Sequence, residues 1–308
     1  MKKILITGAA GFIGSTLANK ISDINKLILV DDLSQGKINN LNKNIRSKLI
    51  KKPIEDLPLR LFKNVECIIH LAAQSVVKYS ITHFFKSSKK NLNSSLYIFE
   101  IAKNYNIPII YASSCAVYGG FSKGNDTKNN ISILSPYAQD KLTVEQYAKT
   151  MNRVFGVQSI GLRFFNIYGP NQKENNPYSG VIPIFINRAK KNRTININGG
   201  NQTRDFVFIN DVIKILILLK DKLSKDKKNV CEILNVCTAT SYSINYLFSK
   251  IKINLKSNSK KKYFKLSKDD PPKSSGSNSK ILKFLKIKKN FFTNFDKGLN
   301  ETIKSQNK

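Results

Sequence analysis

The feature that most constrains the fold of this chain is a glycine-rich turn between a short apolar strand and a helix. Gly8, Gly11 and Gly14 form a GxxGxxG pattern within TGAAGFIG, after an apolar strand at 3–7 and before a helical stretch that runs to about Ile21. Glycine permits a tight turn and lets the backbone approach a pyrophosphate at the helix N-terminus, where free N–H groups and the helix dipole favour an anion. The pattern therefore predicts a phosphate-binding strand–turn–helix.

A carboxylate stands where such a turn would need one for a dinucleotide. Asp31 lies 23 residues after Gly8 and ends a second apolar strand at 27–30. A carboxylate at this place accepts hydrogen bonds from the adenosine ribose hydroxyls and repels a 2′-phosphate. The spacing therefore predicts NAD as the cofactor rather than NADP.

Strands and helices alternate over the first 170 residues. Further apolar strands are predicted at 67–71, 107–112 and 157–163, with helices at 92–103 and 138–151. This alternation predicts a Rossmann-type α/β fold with a doubly wound parallel sheet. We expect a Rossmann domain over 1–166, with 207–238 contributing a strand end, a helix and one more strand. Residues 167–308 form a smaller, interleaved C-terminal lobe, in which the Lys/Ser-rich segment 256–279 is expected to be a loop.

Composition limits the classes of function. The chain carries 52 basic and 20 acidic residues, a net charge of +32, but only seven of the basic residues are Arg. Because readers of bases and phosphates favour the arginine fork, we interpret the charge as compositional bias and expect no specific nucleic-acid partner. Attraction to polyanions or acidic lipid surfaces stays open.

The four Cys show no CxxC spacing and the chain has two His, so no metal site is expected. No apolar run approaches a membrane span and the start does not fit a signal peptide, so we expect a cytoplasmic protein without membrane insertion.

A tyrosine and a lysine form a candidate acid–base pair. Tyr137 and Lys141 are four residues apart in a helical pattern, which puts both on one face about one turn apart. Such a pair alone is common on exposed helices, but a neighbouring ammonium lowers the pKa of a phenol and makes Tyr137 a candidate general base. Ser113 and Ser114 follow the strand at 107–112, and ligands of open α/β sheets bind outside the carboxyl ends of strands. The serines and the glycine turn are therefore expected to line one crevice.

Seven motifs together resemble the extended short-chain dehydrogenase/reductases, and more closely their NAD-dependent nucleotide-sugar epimerase/dehydratase branch. In chain order they are TGAAGFIG at 7–14, DDLSQGK at 31–37, HLAAQ at 70–74, YASSCAVYG at 111–119, SPYAQDK at 135–141, LRFFNIYGPNQ at 162–172 and GGNQTRDFVFINDV at 199–212. Within that branch the chain is similar to UDP-glucose and UDP-N-acetylglucosamine 4-epimerases.

The resemblance implies a role for each matched residue. Tyr137 would take the proton of the sugar 4-hydroxyl while C4 gives hydride to the nicotinamide, Lys141 would bond the nicotinamide ribose, and Ser114 would bridge to the 4-oxygen. The implied cofactor contacts are Gly8, Gly11, Phe12, Ile13, Gly14, Asp31, Asp32, Ser34, Gly36, Ile54, Leu71, Ala72, Ala73, Gln74, Asn91, Ser113, Tyr137, Lys141 and Phe164. The implied contacts to a UDP-sugar substrate are Ser80, Ser114, Tyr137, Asn166, Val181, Arg204, Asp270 and Ser274.

The residues at the two positions that directly follow Ser114 distinguish the reactions catalysed within this branch. Its 4,6-dehydratases carry an Asp-Glu pair directly after the matched serine, and its decarboxylases keep a Glu two residues after it, whereas this chain has Cys115 and Ala116. Simple redox at C4, hence epimerisation, is what remains. Two alternatives stay open: a reductase of a nucleotide-linked keto-sugar, which would consume NAD(P)H, and a non-catalytic relative that binds polyanions.

The resemblance also bears on the substrate and on assembly. NPYSGVIPIF at 176–185 is similar to the substrate loop of members that act on N-acetylated UDP-hexoses, and aligning Asp270 with a late Arg-x-Gly-Asp motif puts Ser274 where a large Tyr would exclude an acetamido group. The chain departs from the family at 52–54, Lys-Pro-Ile in place of Gly-Asp-Ile, and at Ser267, where the family has Arg and where Lys265 or Lys268 would have to substitute. The helices at 92–103 and 137–151 resemble those of the family's dimer interface, so a homodimer is expected.

Overall fold

A computed structural model describes residues 3–128, 130–172, 180–225, 229–267 and 270–306. Its strands are β1 (Lys3–Thr7), β2 (Lys26–Val30), β3 (Leu49–Ile50), β4 (Val65–His70), β5 (Ile109–Ser114), β6 (Lys123–Gly124), β7 (Ser159–Phe164), β8 (Asn166–Tyr168), β9 (Ile195–Asn198), β10 (Thr203–Arg204), β11 (Phe206–Phe208), β12 (Cys231–Val236), β13 (Tyr242–Ser243), β14 (Lys261–Phe264) and β15 (Lys273–Gly276). Its α-helices are α1 (Phe12–Ile21), α2 (Lys43–Arg46), α3 (Val77–Thr82), α4 (Phe84–Tyr105), α5 (Pro136–Phe155), α6 (Val181–Lys190), α7 (Ile209–Lys225), α8 (Ile244–Asn254), α9 (Ser279–Leu285) and α10 (Phe295–Ser305).

Seven strands form one sheet in the order β12-β7-β5-β4-β1-β2-β3. Thr7 stands opposite Val30 on one side and His70 on the other, so β1, β2 and β4 run parallel and end at the same level. The strand order reverses between β1 and β4, which is where open α/β sheets bind their ligands. The predicted α/β fold with a parallel, doubly wound sheet is confirmed.

The core of this sheet is made by its apolar strands and the helices that cover them. Leu5, Ile68 and Ile109 lie on three neighbouring strands and are fully buried, and Ile101 of α4 and Val144 of α5 pack into the same cluster. Continuous apolar strands of this kind are typical of parallel sheets covered by helices. Packing therefore holds α4 and α5 against the sheet.

The chain divides into two compact units, each built from three segments. The first unit contains residues 1–117, 135–163 and 213–234, and the second contains residues 118–134, 164–212 and 235–308. The second unit holds a four-stranded sheet in the order β13-β10-β15-β6 and two strand pairs, β11 with β8 and β14 with β9. Residues 118–134 group with the second unit because β6 pairs with β15, Lys123 opposite Ser275.

The expectation of a loop over 256–279 is wrong for two stretches. β14 pairs with β9 along four residues, and β15 pairs with both β10 and β6. Their Lys- and Ser-rich sequences have little strand preference of their own, so pairing with distant strands decides the conformation. Within the ranges described above, no helix is both long and apolar enough to cross a membrane.

Candidate active site

The glycine turn at 8–14 packs against the loop that follows β4. Gly8 has φ of +66°, and a Cβ there would lie 2.8 Å from the Ala72 nitrogen and from the Leu71 carbonyl carbon. A Cβ on Gly14 would clash with the Gly8 carbonyl oxygen. α1 begins directly after Gly11, which has no side chain to cap the first turn. The N–H groups of that turn are therefore available to a phosphate, as P-loop and dinucleotide sites require.

Asp31 lies at the carboxyl end of β2 and is almost fully buried. Its Oδ2 accepts from the Ala10 N–H at 2.9 Å and its Oδ1 accepts from the Leu33 N–H at 2.8 Å. Burial raises the pKa of the carboxyl group, while the two backbone hydrogen bonds act in the opposite direction. A Cβ on Gly36 would lie 2.8 Å from both carboxylate oxygens, so glycine is needed for the chain to pass Asp31. The glycine turn and this carboxylate together fit a dinucleotide.

A second carboxylate, Asp32, is held by a serine and a lysine. Its Oδ1 accepts from the Ser34 hydroxyl at 2.7 Å and from the Ser34 N–H at 3.0 Å. Its Oδ2 lies 2.6 Å from Nζ of Lys90, on α4, and Lys90 also donates to the Ser34 hydroxyl. The loop after β2 is thus tied to α4.

Asn91 braces the loop that follows β4. Its Oδ1 accepts from the Gln74 N–H at 2.7 Å, and its Nδ2 donates to the Gln74 carbonyl at 3.2 Å and to Oδ2 of Asp140 at 2.9 Å. Both N–H bonds of the amide are therefore used inside the protein. Asn91, which the resemblance predicts as a cofactor contact, therefore joins Gln74, in the loop after β4, to Asp140 of α5.

Ser114, Tyr137 and Lys141 come together in the first unit. The Ser114 hydroxyl, at the end of β5, lies near the Tyr137 phenol and acts to lower the pKa of that phenol. Nζ of Lys141 lies 5.7 Å from the centroid of the Tyr137 ring and donates to the Ala112 carbonyl at 2.8 Å. α5 places the two residues one turn apart, and its start is capped by the Ser135 hydroxyl with Pro136 in the first turn.

Ser80, predicted as a substrate contact, is fully buried. Its hydroxyl donates to the Val77 carbonyl at 2.7 Å and accepts from the Tyr137 N–H at 3.1 Å. The structure therefore places Ser80 behind Tyr137, where it fixes the first turn of α5.

The expected net fall in the pKa of Tyr137 beside Lys141 does not occur in this structure. Burial raises the pKa of Tyr137 to about 12, although the nearby Ser114 hydroxyl acts to lower it. Burial also lowers the pKa of Lys141 to about 8, with Asp140 and Glu145 acting in the opposite direction. Desolvation disfavours the charged form of both groups, and residue spacing alone gives no measure of it.

The low pKa of Lys141 predicts that stability depends on pH. The pKa of Lys141 is about 8 in the folded chain and has its ordinary value of 10.5 in the unfolded chain. Between these two pH values the unfolded chain binds more protons than the folded chain, so the free energy of unfolding rises with pH. Lys141→Met lacks this contribution. The free energy of unfolding of the wild type minus that of the variant should therefore increase by on the order of 3 kcal/mol from about pH 7.5 to about pH 10.5. Urea titrations across this range measure it, and a flat difference contradicts it.

A buried ion pair lies one turn beyond Lys141 on the same face of α5. Oε1 and Oε2 of Glu145 accept from Nε and Nη2 of Arg163 at 2.8 and 2.6 Å. The Ser113 hydroxyl donates to Oε1 at 2.5 Å. Both charged side chains are almost completely inaccessible to solvent. Ser113, predicted as a cofactor contact, is thus joined to an ion pair that the motifs did not single out; the signal was the position of Glu145, four residues after Lys141.

His70 is neutral and structural. Nδ1 lies 2.8 Å from the Thr7 hydroxyl and Nε2 lies 3.2 Å from the Ser95 hydroxyl. Burial, together with the positive charge of nearby Lys141, lowers the pKa of its imidazole to about 3. The remaining predicted cofactor contacts are Phe12 and Ile13, which begin α1, Ile54, which is buried and begins a 3-10 turn, Ala73, in the loop after β4, and Phe164, which ends β7.

The second unit brings three predicted substrate contacts together. Arg204 forms an ion pair with Asp270, and Arg204 on β10 stands opposite Ser274 on β15. Asn166 begins β8, where its side chain donates to the Asp205 carbonyl at 3.1 Å. Val181 begins α6. Residues 176–179 of the predicted substrate loop and Lys268 lie outside the described residues.

No group of three or more His, Cys, Asp or Glu suited to a metal ion occurs among the residues with described positions. The polar groups described at the ends of β2, β4 and β5 are hydroxyls, amides and carboxylates, with the ammonium groups of Lys90 and Lys141 beside them. The chemistry of this set is that of proton transfer beside a bound dinucleotide.

Comparison with known proteins agrees with this geometry. A family model described as the NAD dependent epimerase/dehydratase family matches residues 4–237. The chain is 38% identical over 260 residues, 81% of each chain, to a Methanocaldococcus jannaschii protein that carries a provisional UDP-glucose 4-epimerase name. It superposes with a TM-score of 0.90, at 34% identity over 99% of this chain and 98% of the other, on a UDP-N-acetylglucosamine 4-epimerase from Methanobrevibacter ruminantium solved with UDP-N-acetylmuramic acid. A dTDP-D-glucose 4,6-dehydratase of Dictyostelium discoideum is 34% identical over 247 residues, 72% of this chain and 56% of that protein.

Proposed function

Because the chain belongs to the NAD-dependent epimerase/dehydratase family, we propose that it epimerises a UDP-hexose at C4 through a transient 4-keto sugar. The observation that carries the proposal is the grouping of Ser114, at the end of β5, with Tyr137 and Lys141, one turn apart on α5. NAD is the cofactor, and when bound it would accept a hydride from C4 and return it to the opposite face of the 4-keto sugar. The glycine turn and Asp31 would hold it.

The chain's own residues move and hold the proton. In its phenolate form, the Tyr137 oxygen accepts the proton of the sugar 4-hydroxyl and later returns it. Since burial raises the pKa of this phenol to about 12, the phenolate needs support while it exists. The Ser114 hydroxyl, which acts to lower this pKa, and the positive charge of the nearby Lys141 ammonium would provide that support. Ser80 keeps the Tyr137 backbone in place.

The residues after Ser114 support epimerisation over dehydration. Elimination of water across C5 and C6 needs an acid and a base beside the sugar. Cys115 and Ala116 occupy those positions in the short turn Cys115–Tyr118, and alanine has no proton to transfer. With neither group in place, redox at C4 is the reaction that Ser114, Tyr137 and Lys141 support.

Incubation of the purified protein with UDP-N-acetylglucosamine, UDP-glucose and UDP-glucuronic acid, each alone, tests the function. We expect the C4 epimers of one or more of these sugars, resolved by chromatography, with no net change in NADH absorbance. Protein that holds NAD yet epimerises none of them would contradict the proposal. Net consumption of NADH with a keto-sugar would instead identify the reductase alternative.

The residues around Arg204 support a substrate with two phosphates and a roomy sugar site. Arg204 is largely buried and paired with Asp270, and a guanidinium can bind a diphosphate through two parallel hydrogen bonds. Ser274, its neighbour across β10 and β15, is small and half-buried. We therefore include UDP-N-acetylhexosamines among the substrates, beside UDP-glucose and UDP-galactose.

Ser274→Tyr tests this assignment of the sugar site. We expect kcat/KM for UDP-N-acetylglucosamine to fall at least tenfold and that for UDP-glucose to change little, because the phenol would fill the space for the acetamido group. Ser275→Tyr, one residue along the same strand, is the matched control. Full activity of Ser274→Tyr on acetylated sugars would contradict the assignment.

A homodimer completes the proposal. α4 and α5 pack against each other within the first unit and leave large side chains exposed on their outer faces: Leu96, Tyr147, Val154 and Phe155. Apolar surface of this kind is typical of an interface. Light scattering should give twice the chain mass of 34.8 kDa, and a monomer at micromolar concentration would contradict it.

A further inference from the structure

We propose that Lys90 is a positioning residue for the cofactor, which ties α4 to the loop after β2 and thereby sets how long NAD stays bound. The inference rests on the proposed function in one respect, because an epimerase regenerates NAD at every turnover and gains from keeping it. None of the motifs that identify the family includes Lys90.

The contacts of Lys90 form a closed triangle with Asp32 and Ser34. Nζ lies 2.6 Å from Oδ2 of Asp32 and donates to the Ser34 hydroxyl, which in turn donates to Oδ1 of Asp32 at 2.7 Å. About a third of the lysine side chain remains exposed. This triangle is the tie between α4 and the segment that follows the ribose-binding carboxylate, Asp31.

Charge gives Lys90 a second role at the same place. Asp31 and Asp32 are adjacent carboxylates and repel each other, and Asp32 acts to raise the pKa of Asp31. Lys90 acts to lower the pKa of both. The ammonium therefore helps to keep Asp31 ionised, which is the state that accepts hydrogen bonds from ribose hydroxyls.

Consecutive residues of α4 brace the two loops on either side of the β1 glycine turn. Lys90 holds the loop after β2, and Asn91 holds the loop after β4 through Gln74. These loops follow the strands on either side of β1 in the sheet. Without Lys90 the first loop would lose its tie to α4 while the second kept its own.

Lys89 provides a matched control. Its Nζ lies 5.8 Å from the centroid of the Phe85 ring, one turn earlier in α4, and its side chain forms no part of the triangle. Lys89→Met and Lys90→Met remove the same charge from the same helix at adjacent positions. Lys90→Arg keeps the charge and should retain part of the tie.

The experiment measures release of the cofactor without any sugar. Wild type, Lys90→Met, Lys90→Arg and Lys89→Met are loaded with NADH and mixed rapidly with excess NAD, and the loss of bound NADH fluorescence gives the dissociation rate. We expect Lys90→Met to release NADH roughly fivefold to tenfold faster than wild type and Lys89→Met, which is the scale of one partly exposed ion pair and its hydrogen bond. The difference in NADH release rate between Lys90→Met and Lys89→Met should become smaller at high salt, because salt screens the ion pair.

A double-mutant cycle tests the pair itself. If Lys90 acts through Asp32, then Lys90→Met in an Asp32→Asn background should accelerate release far less than it does alone. Equal release rates for wild type, Lys90→Met and Lys89→Met would overturn the inference. Should Lys90→Met fail to fold, Lys90→Gln and Lys90→Arg carry the same comparison. A protein that shows the Lys90 effect but epimerises no sugar refutes the proposed function alone, because cofactor release involves no sugar.

Discussion

Tyr137→Phe should lower kcat for C4 epimerisation by roughly a thousandfold, the scale on which a positioned proton-transfer group acts. The change removes one oxygen, the atom that lies near the Ser114 hydroxyl and that would take the proton of the 4-hydroxyl. The backbone hydrogen bond from Tyr137 to Ser80 remains, so the fold and NAD binding should be unaffected. Steady-state kinetics with a coupled assay measure kcat, and NADH fluorescence measures cofactor binding.

Tyr147→Phe is the matched control for this prediction. Tyr147 lies on the same helix, ten residues further on, and is 42% exposed, so loss of its oxygen should leave kcat within about twofold of wild type. If Tyr137→Phe kept more than about a tenth of the wild-type kcat, the phenol could not be the base, and the role assigned to it would be wrong.

Glu145→Ala should reduce the free energy of unfolding by about 3–5 kcal/mol, the typical cost of leaving one partner of a buried ion pair without its counter-charge. Arg163 would keep its positive charge in a site that water does not reach, and the Ser113 hydroxyl would lose its acceptor. Chemical denaturation followed by circular dichroism measures the loss. Activity should fall as well, because Ser113 directly precedes Ser114 on β5 and Glu145 lies one turn beyond Lys141 on α5.

A double variant separates the charge from the packing. Glu145→Leu combined with Arg163→Met removes both charges and should destabilise less than either single change, since an apolar pair needs no desolvation of ions. If the double variant lost as much free energy of unfolding as the two single variants together, this account would be contradicted. Glu100→Ala, which removes an exposed i,i+3 partner of Lys103, should cost under about 0.5 kcal/mol.

The sequence is sufficient to predict the part of the fold in which each local pattern agrees with the tertiary structure. The turn at Gly8, the helix after it and the carboxylate at Asp31 appear where the spacing puts them, because backbone geometry and burial require those residue types there. α4 is longer than the predicted helix at 92–103, beginning at Phe84. Its first two turns carry serines and lysines with no apolar periodicity, so contacts with α3 and α5 decide where it begins.

The electrostatics of the site could not be predicted from spacing. The pattern places Lys141 one turn from Tyr137, but the pKa of each group depends on how completely the fold removes water from it. The same limit applies to Ser80, Asn91 and Ser113, which the family pattern marks as ligand contacts and whose polar atoms bond to other parts of the protein. Residue type and position identify which residues are present at a site, whereas burial decides which of their groups remain available to a ligand.

The three-segment construction of the first unit has a consequence for synthesis of the chain. β12, one of the two edge strands of the seven-stranded sheet, comes from residues 231–236, so the flank of β7 stays uncovered until most of the polypeptide has left the ribosome. An open strand edge is a template for pairing with other chains. A nascent or truncated chain that stops before residue 231 is therefore the species most exposed to aggregation, and the cell must protect it for longer than it would a domain made from one continuous segment.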